Sequence, residues 1–315
     1  MKTNNLYKYI NLLLRIIIGV AAVWFIYIKL NDDFIIQFQQ ISLDNINYSL
    51  IVVVILMLFV NWGVEAMKWR YAIRSLEMIS IFKSFKLTIT GITMGLLTPN
   101  RVGEIPARAL LLNTDLFKEI TLKTAVSSFS QVLITLLLGI VGLILTYHFF
   151  NFFNPISLIA ILTLGLIILL LIYFKISSLE RLFNRINYFR EKEIFKALST
   201  FSFRELINLL FFSFLRYVVF FIQFYLILKA FNIVLISINE VLLIPVCFML
   251  TSFIPTILLS EIGVRGSVAL LVFGTVSDMD IHIVLASVLL WLINVALPAL
   301  MGLFNLRQLK IMKEN

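Results

Sequence analysis

Charged residues stand beside helix-breaking residues in an otherwise apolar stretch, residues 98–108. Arg101, Glu104 and Arg108 are spaced i, i+3 and i+7, which would place them on one face of a helix. The planar guanidinium of arginine binds two phosphate oxygens at once, and a helix N-terminus also attracts anions. We therefore expect Arg101 and Arg108 to hold an anionic headgroup, with Glu104 balancing their charge or carrying a coupling proton.

The same stretch contains residues that break helices. Pro99 is expected to end one helix, and Asn100 to cap the next and face the bound anion. Gly103 would let another backbone or a headgroup come close. Pro106 removes a backbone donor, so we expect it to kink the second helix.

A second stretch, residues 255–266, repeats the arrangement. Its break residues and charges are Pro255, Glu261, Gly263, Arg265 and Gly266. We expect Arg265 to be a headgroup ligand and Glu261 its charge-balancing or proton-coupling partner. Charge inside a membrane costs roughly 2.5–3.5 kcal/mol per residue on insertion scales, so each such residue needs a reason. The alternative is that Glu104 and Glu261 only neutralise nearby arginines, as structural ion pairs.

Arg216 is a further arginine, alone within the apolar residues 209–224. It either pairs with Glu104 or Glu261 or contacts the substrate, and the sequence favours neither. Polar side chains that would face these charges are Asn61, Ser127, Ser128 and Gln131. A solvated helix end is the expected place for three more charged residues, Glu65, Lys68 and Arg70.

The composition excludes a water-soluble globule. Apolar residues make up 61% of the 315 positions and charged residues 14%, against about half and a quarter in soluble domains. The basic residues behind the net charge of +9 lie between apolar runs. They form no basic face interleaved with aromatic residues, so we expect no nucleic-acid partner. Neither a metal-ligand pattern nor a catalytic constellation surrounds Cys247, His148 or His282. We therefore predict no metal, no cofactor and no enzymatic activity.

A spanning helix needs about 20 mostly apolar residues. Six stretches qualify, at residues 10–29, 48–65, 123–147, 155–174, 205–229 and 281–304. Lys and Arg concentrate in short cytoplasmic loops, and this pattern predicts that both termini are cytoplasmic. Two remaining stretches, 85–112 and 238–276, then each begin and end on one side of the membrane, the first cytoplasmic and the second external.

These two stretches predict re-entrant helical hairpins of opposite orientation. Paired broken segments indicate a transporter with inverted repeats and a site near the membrane midplane. The alternative is that the hairpin arms cross fully, giving about ten spans. The predicted fold is all-α: one transmembrane domain, residues 1–315, with a basic amphipathic segment at 177–201 on the cytoplasmic side.

At the two motifs the sequence resembles the lysylphosphatidylglycerol synthase transmembrane region, a flippase-like (YbhN-like) membrane family. The first family motif, Pro-Gly/Asn-Arg-x-Gly-Glu followed by Arg, stands here as Pro99, Asn100, Arg101, Gly103, Glu104 and Arg108. The second, Pro followed by Gly-x-Gly-x-Arg, stands as Pro255, Gly263 and Arg265. Here Ser260-Glu261 replaces the glycines of many members, and Gly266 stands where many have glutamate.

The resemblance implies a bacterial inner-membrane protein that moves an anionic phospholipid or a polyprenyl-type lipid phosphate between leaflets. The aminoacyl-transferring domain of the full-length synthases has no counterpart in this sequence, so transferase activity is not implied. The alternative is a non-transporting membrane partner that anchors or regulates a lipid- or envelope-synthesis enzyme. Membrane lipids are the expected partners, and a homo-oligomer or an envelope-synthesis enzyme partner fits either function.

Overall fold

The computed structural model describes residues 46–96, 98–112, 114–150, 155–178, 196–256 and 258–306. Its helices are α1 (Tyr48–Ile73), α2 (Ile81–Gly95), α3 (Glu104–Leu112), α4 (Phe117–Thr146), α5 (Pro155–Phe174), α6 (Lys196–Ser199), α7 (Phe203–Ala230), α8 (Ile238–Val241), α9 (Leu243–Phe253), α10 (Leu258–Phe273), α11 (Asp280–Trp291) and α12 (Leu297–Leu306). A π-helical turn, Leu292–Ala296, joins α11 to α12. The predicted span 10–29 and most of the segment 177–201 lie outside the described residues.

Five helical stretches are long and apolar enough to cross a membrane. They are Tyr48–Ile73, Phe117–Phe149, Pro155–Phe174, Phe203–Ala230 and Asp280–Asn305. These stretches confirm the five predicted spans that fall within the described residues. Helices suit this setting because each satisfies its own backbone hydrogen bonds where no water is present.

The end of α1 differs from the prediction. The helix continues past Glu65 to Ile73, so Glu65 and Lys68 lie inside it and are buried. The expected solvated helix end is therefore wrong for these two residues. Arg70 is exposed and donates to the backbone oxygen of Ile79 at 2.7 Å.

Two helical hairpins enter the bundle from opposite faces. Helices α2 and α3 form the first, whose base follows the end of α1 and precedes the start of α4. Helices α9 and α10 form the second, whose base lies between the end of α7 and the start of α11. The start of α1 lies beside the end of α7, because the Asn47 amide donates to the Ala230 oxygen at 3.0 Å. The end of α1 and the end of α7 are thus at opposite faces.

None of the four hairpin arms crosses the bundle. Helices α2, α3, α9 and α10 have 15, 9, 11 and 16 residues. At about 1.5 Å per residue each is shorter than the roughly 30 Å hydrocarbon core. The alternative of about ten full spans is therefore wrong for these arms, and the re-entrant prediction is confirmed.

Close helix contacts fix the position of each hairpin. Helix α9 lies against α4 where a side chain on Gly142 would come within 2.8 Å of the Leu242 oxygen. Helix α2 lies against α12, where the Thr93 hydroxyl donates to the Ala299 oxygen at 2.8 Å and Gly302 leaves no room for a Cβ. Small residues allow such close approach between membrane helices, where apolar burial gives little driving force.

The largest buried core surrounds the second hairpin. Phe248 of α9 stacks on Phe224 of α7 with ring centroids 5.6 Å apart, and Phe273 of α10 meets Phe224 edge-on at the same distance. These rings hold α9 and α10 against α7. The charged tip of the second hairpin is therefore carried on a packed apolar base.

Candidate functional site

The tips of the two hairpins bind each other. The Asn100 amide donates to the Thr256 oxygen at 2.9 Å, and the Thr256 amide donates to the Asn100 side-chain oxygen at 2.5 Å. Pro255 lies in this non-helical break after α9, as predicted. One main-chain bond and one bond to the Asn100 side chain thus hold the two breaks together across 156 residues of sequence.

The first tip has an unusual backbone. Asn100 and Arg101 have φ angles of 49° and 56°, in the left-handed region that β-carbon sterics disfavour. Asparagine tolerates this region better than most residues, but arginine does not. Such a conformation persists only when surrounding contacts impose it, and here the bonds to Thr256 and Glu261 do so.

Several details of the first motif differ from the prediction. Helix α3 begins at Glu104, so Asn100 does not cap it, and Arg101 does not share its face with Glu104 and Arg108. Pro106 is the third residue of α3, where no intrahelical amide bond is needed, so it causes no kink. The space beside Gly103 is filled by the Thr98 side chain, whose hydroxyl accepts from the Gly103 amide at 2.7 Å.

The second motif also breaks at a different place. Gly263 and Gly266 are both buried inside α10, which continues past them to Phe273. Their assignment to the hairpin break is therefore wrong, and the break comes before α10. One turn of helix separates Glu261 from Arg265, and this places both side chains on one face of α10.

Glu261 joins the two motifs. Its Oε1 atom accepts from Arg101 Nη2 at 2.9 Å and from Arg265 Nη2 at 2.9 Å and Nε at 3.1 Å. One arginine from each hairpin tip therefore binds a single carboxylate oxygen. The two predicted ligands, Arg101 and Arg265, lie together as the transporter hypothesis requires.

Glu65 is the centre of a second charge cluster. Its carboxylate lies 2.8 Å from Lys68, 2.9 Å from Arg108 and 3.0 Å from Arg216. Glu65 is only 3% exposed. Arg108 also binds Glu104, so the described structure pairs this carboxylate with one of the two arginines whose charge it was expected to balance.

A polar network continues from Arg216 to the π-helical turn. Arg216 Nε donates to the Asn61 side-chain oxygen at 3.0 Å, and Asn61 donates to Gln223 at 3.1 Å and Asn294 at 2.8 Å. Trp62 donates its indole N–H to the Asn294 main-chain oxygen at 3.2 Å. The network is buried, so it fixes the orientation of Arg216.

A cavity of about 230 Å³ lies beside both clusters. Its lining residues are Arg101, Gln131, Thr135, Arg216, Tyr217, Phe220, Phe248, Thr251, Ser252 and Arg265. Three of these lining residues are arginines, and none is an aspartate or a glutamate. The Tyr217 hydroxyl is buried and has no hydrogen-bond partner within the described part of the chain. Such unpaired buried hydroxyls are uncommon in folded proteins.

Exposure separates ligand candidates from supporting residues. The side chains of Arg101, Arg216 and Arg265 are 22%, 21% and 19% exposed, but that of Arg108 is 3% exposed. Arg108 is enclosed between Glu65 and Glu104 and does not line the cavity. Asn100 does not line it either, because its side chain binds Thr256. Of the five predicted headgroup ligands, Arg101, Arg216 and Arg265 face the cavity, whereas the assignments of Arg108 and Asn100 as ligands are wrong.

The cavity lies halfway along the spanning helices. Gln131 is the fifteenth of the 30 residues of α4, and Arg216 is the fourteenth of the 28 residues of α7. Asn61, which binds Arg216, is the fourteenth of the 26 residues of α1. A helix of this length spans about 40 Å, so each residue lies about 20 Å from either end.

Glu65, Lys68, Gln223 and Asn294 are site residues that the sequence analysis missed. Lys68 donates to Gln131 at 3.3 Å and to the Ser213 hydroxyl at 3.4 Å, which connects α1 to α4 and α7. Asn61 and Gln131 were expected to face the charges, and both do. The aromatic and apolar residues that follow Glu65, up to Ile73, could have indicated that the helix continues past it and that Glu65 lies inside the bundle.

These features define an integral, multi-pass helical membrane protein whose two re-entrant hairpins meet beside an arginine-lined cavity. The chain matches the family described as the lysylphosphatidylglycerol synthase TM region over residues 12–302, and it belongs to that family. The predicted membership of this family is thereby confirmed. Comparison with curated proteins and with solved structures found no match.

Proposed function

We propose that this protein moves an anionic phospholipid or a lipid-linked phosphate between the leaflets of the bacterial inner membrane, without covalent chemistry. The observation that carries the proposal is the arginine-lined cavity at mid-depth, between hairpins from opposite faces. A site at the midplane between oppositely oriented broken helices suits alternating access from either side. Arginine suits the phosphate because its fork donates two hydrogen bonds to paired oxygens.

The cavity residues then have distinct roles. Arg101, Arg216 and Arg265 bind the headgroup phosphate, while Glu65 and Glu261 hold these guanidiniums in place from behind. Glu104 positions Arg108, which in turn holds Glu65. Phe220 and Phe248 give the cavity an apolar side, against which the first carbon atoms attached to the phosphate rest.

Leaflet exchange in reconstituted vesicles tests this function. The purified protein is reconstituted with fluorescent phosphatidylglycerol, and exchange is followed by the fraction of label that an external quencher reaches with time. We expect exchange above that of protein-free vesicles. Arg101→Gln should lower the exchange rate at least tenfold, since a hydrogen bond to a charged group is worth about 1.5–3 kcal/mol.

The matched control is Arg74→Gln. Arg74 also pairs with a carboxylate, Glu205, at 2.9 Å, but its side chain is 49% exposed and it does not line the cavity. This variant should exchange lipid at the wild-type rate. The proposed function would be overturned if no anionic phospholipid and no polyprenyl phosphate exchanged faster than in protein-free vesicles.

One observation favours the alternative function. Each of the three cavity arginines already has a carboxylate partner, as structural ion pairs would. In that case the protein is a membrane partner of an envelope-synthesis enzyme, and the arginines serve only the fold. The comparison of the wild-type protein with protein-free vesicles separates the two functions, because a non-transporting partner gives no leaflet exchange.

A further inference from the structure

The two charge clusters contain more positive than negative charge. Five basic residues, Lys68, Arg101, Arg108, Arg216 and Arg265, are paired with three carboxylates, Glu65, Glu104 and Glu261. The formal excess is two positive charges. Within the described ranges, no further carboxylate forms an ion pair with these five residues.

The excess positive charge lies where charge is energetically unfavourable. Arg216 lies halfway along α7, and the central carboxylates Glu65 and Glu261 and the side chain of Lys68 are almost fully buried. An uncompensated charge in such a place is strongly unfavourable, because little solvent is present to stabilise it. A bound anion with two negative charges would neutralise the excess, whereas an anion with one charge would leave half of it.

The guanidinium nitrogens at the cavity also favour an anion with two negative charges. Arg101 uses Nη2 for Glu261, Arg216 uses Nε and Nη1 for Asn61 and Glu65, and Arg265 uses Nε and Nη2 for Glu261. Each of these arginines keeps at least one nitrogen without a protein acceptor in the described part of the structure. A phosphate monoester has three terminal oxygens to accept from three guanidiniums, whereas a phosphodiester has two.

The size of the cavity agrees with a compact headgroup. Its volume of about 230 Å³ is below the roughly 300–1,000 Å³ of pockets that bury drug-sized ligands. That volume accommodates a phosphate with a short polar group, but not acyl chains. Ser252, which lines the cavity, is exposed on the surface of the described bundle, so the cavity has an opening through which chains can extend.

We propose that the substrate is a lipid whose headgroup is a terminal, doubly charged phosphate, that is, a phosphate monoester, in preference to a phosphodiester or a headgroup with added positive charge. Phosphatidic acid and polyprenyl monophosphates both belong to this class. The inference rests on the proposed function and specifies its substrate. A phosphate monoester carries nearly two charges above its second pKa of about 6.

Head-to-head exchange in the same vesicles tests the charge class. The wild-type protein is reconstituted at about pH 8, where the monoester is a dianion, with one fluorescent lipid at a time. The lipids share their acyl chains and differ in headgroup: phosphatidic acid, phosphatidylglycerol, phosphatidylcholine and lysyl-phosphatidylglycerol. Exchange in protein-free vesicles is subtracted for each lipid, and a polyprenyl monophosphate is assayed in parallel to distinguish the two sources of the monoester.

We expect at least one monoester to exchange about tenfold faster than phosphatidylglycerol. Phosphatidylcholine and lysyl-phosphatidylglycerol should exchange more slowly than phosphatidylglycerol. In Arg101→Gln the ratio of monoester to diester rates should fall at least threefold, because this variant removes one charge and one donor. If phosphatidylglycerol or lysyl-phosphatidylglycerol exchanges as fast as both monoesters, the inference is overturned while the transport function stands. If no lipid exchanges above the protein-free vesicles, the transport function itself fails.

Discussion

Exchanging the charges of Arg101 and Glu261 is expected to preserve the fold and to slow lipid exchange at least tenfold. In the double variant Arg101→Glu, Glu261→Arg an ion pair can form again between the hairpin tips, since the wild-type atoms are 2.9 Å apart. The cavity, however, then contains a carboxylate where it had a guanidinium. Repulsion of the phosphate, together with the lost charge-assisted bond, should reduce exchange by at least tenfold and up to about a hundredfold.

The single variants provide the comparison for this exchange. Arg101→Glu alone places two carboxylates against each other and should unfold at a lower temperature than the double variant. Thermal unfolding in detergent and leaflet exchange in vesicles are measured on all three variants. Wild-type exchange by the double variant would show that the Arg101–Glu261 pair serves only the fold, and it would remove Arg101 from the headgroup ligands.

Removing the Glu65 charge is expected to cause the largest loss of stability. Glu65→Gln leaves the buried Lys68 and the partly exposed Arg216 without a carboxylate partner, and Arg108 with Glu104 alone. Removing one member of a buried ion pair costs about 3–5 kcal/mol. The midpoint of thermal unfolding in detergent should therefore fall well below that of the wild type.

Glu205→Gln is the matched control for this variant. Glu205 pairs with Arg74, whose side chain is 49% exposed, and such surface pairs are worth about 0–1 kcal/mol. Glutamine also keeps the capping interaction with Ser202 at the start of α7. Equal unfolding midpoints for the two glutamine variants would contradict the central structural role of Glu65.

Much of the architecture could be predicted from two physical properties of the sequence. Long apolar runs specify spanning helices because every backbone group must be satisfied inside the bilayer, and all five testable spans were found. The distribution of Lys and Arg between the runs placed the two hairpins on opposite faces. Both properties can be evaluated without knowing which side chains contact each other in the folded protein.

The pairing of the charges could be predicted only in part. Neighbours within one helix, such as Glu104 with Arg108 and Glu261 with Arg265, follow from i, i+4 spacing. The contact between Arg101 and Glu261 joins residues 160 positions apart, and no local pattern specifies it. The left-handed turn at Asn100 and Arg101 depends on that contact and could not be predicted either.

The supporting residues were hardest to find because membrane helices are apolar on every side. In a soluble helix the polar face indicates which residues point away from the core. That signal is missing here, so Gln223 and Asn294 do not reveal that they meet Asn61. Glu65 was misplaced because its distance from the start of α1 matches the length of a span, although the helix continues to Ile73.

The most direct test of the central claim is to locate bound phosphate. The protein is placed in lipid nanodiscs containing phosphatidic acid and phosphatidylglycerol, and its structure is determined. We predict headgroup density in the cavity, with phosphate oxygens within about 3 Å, a hydrogen-bonding distance, of at least two of the guanidiniums of Arg101, Arg216 and Arg265. A cavity without headgroup density, with anionic lipid ordered only at the ends of the spanning helices, would contradict the claim.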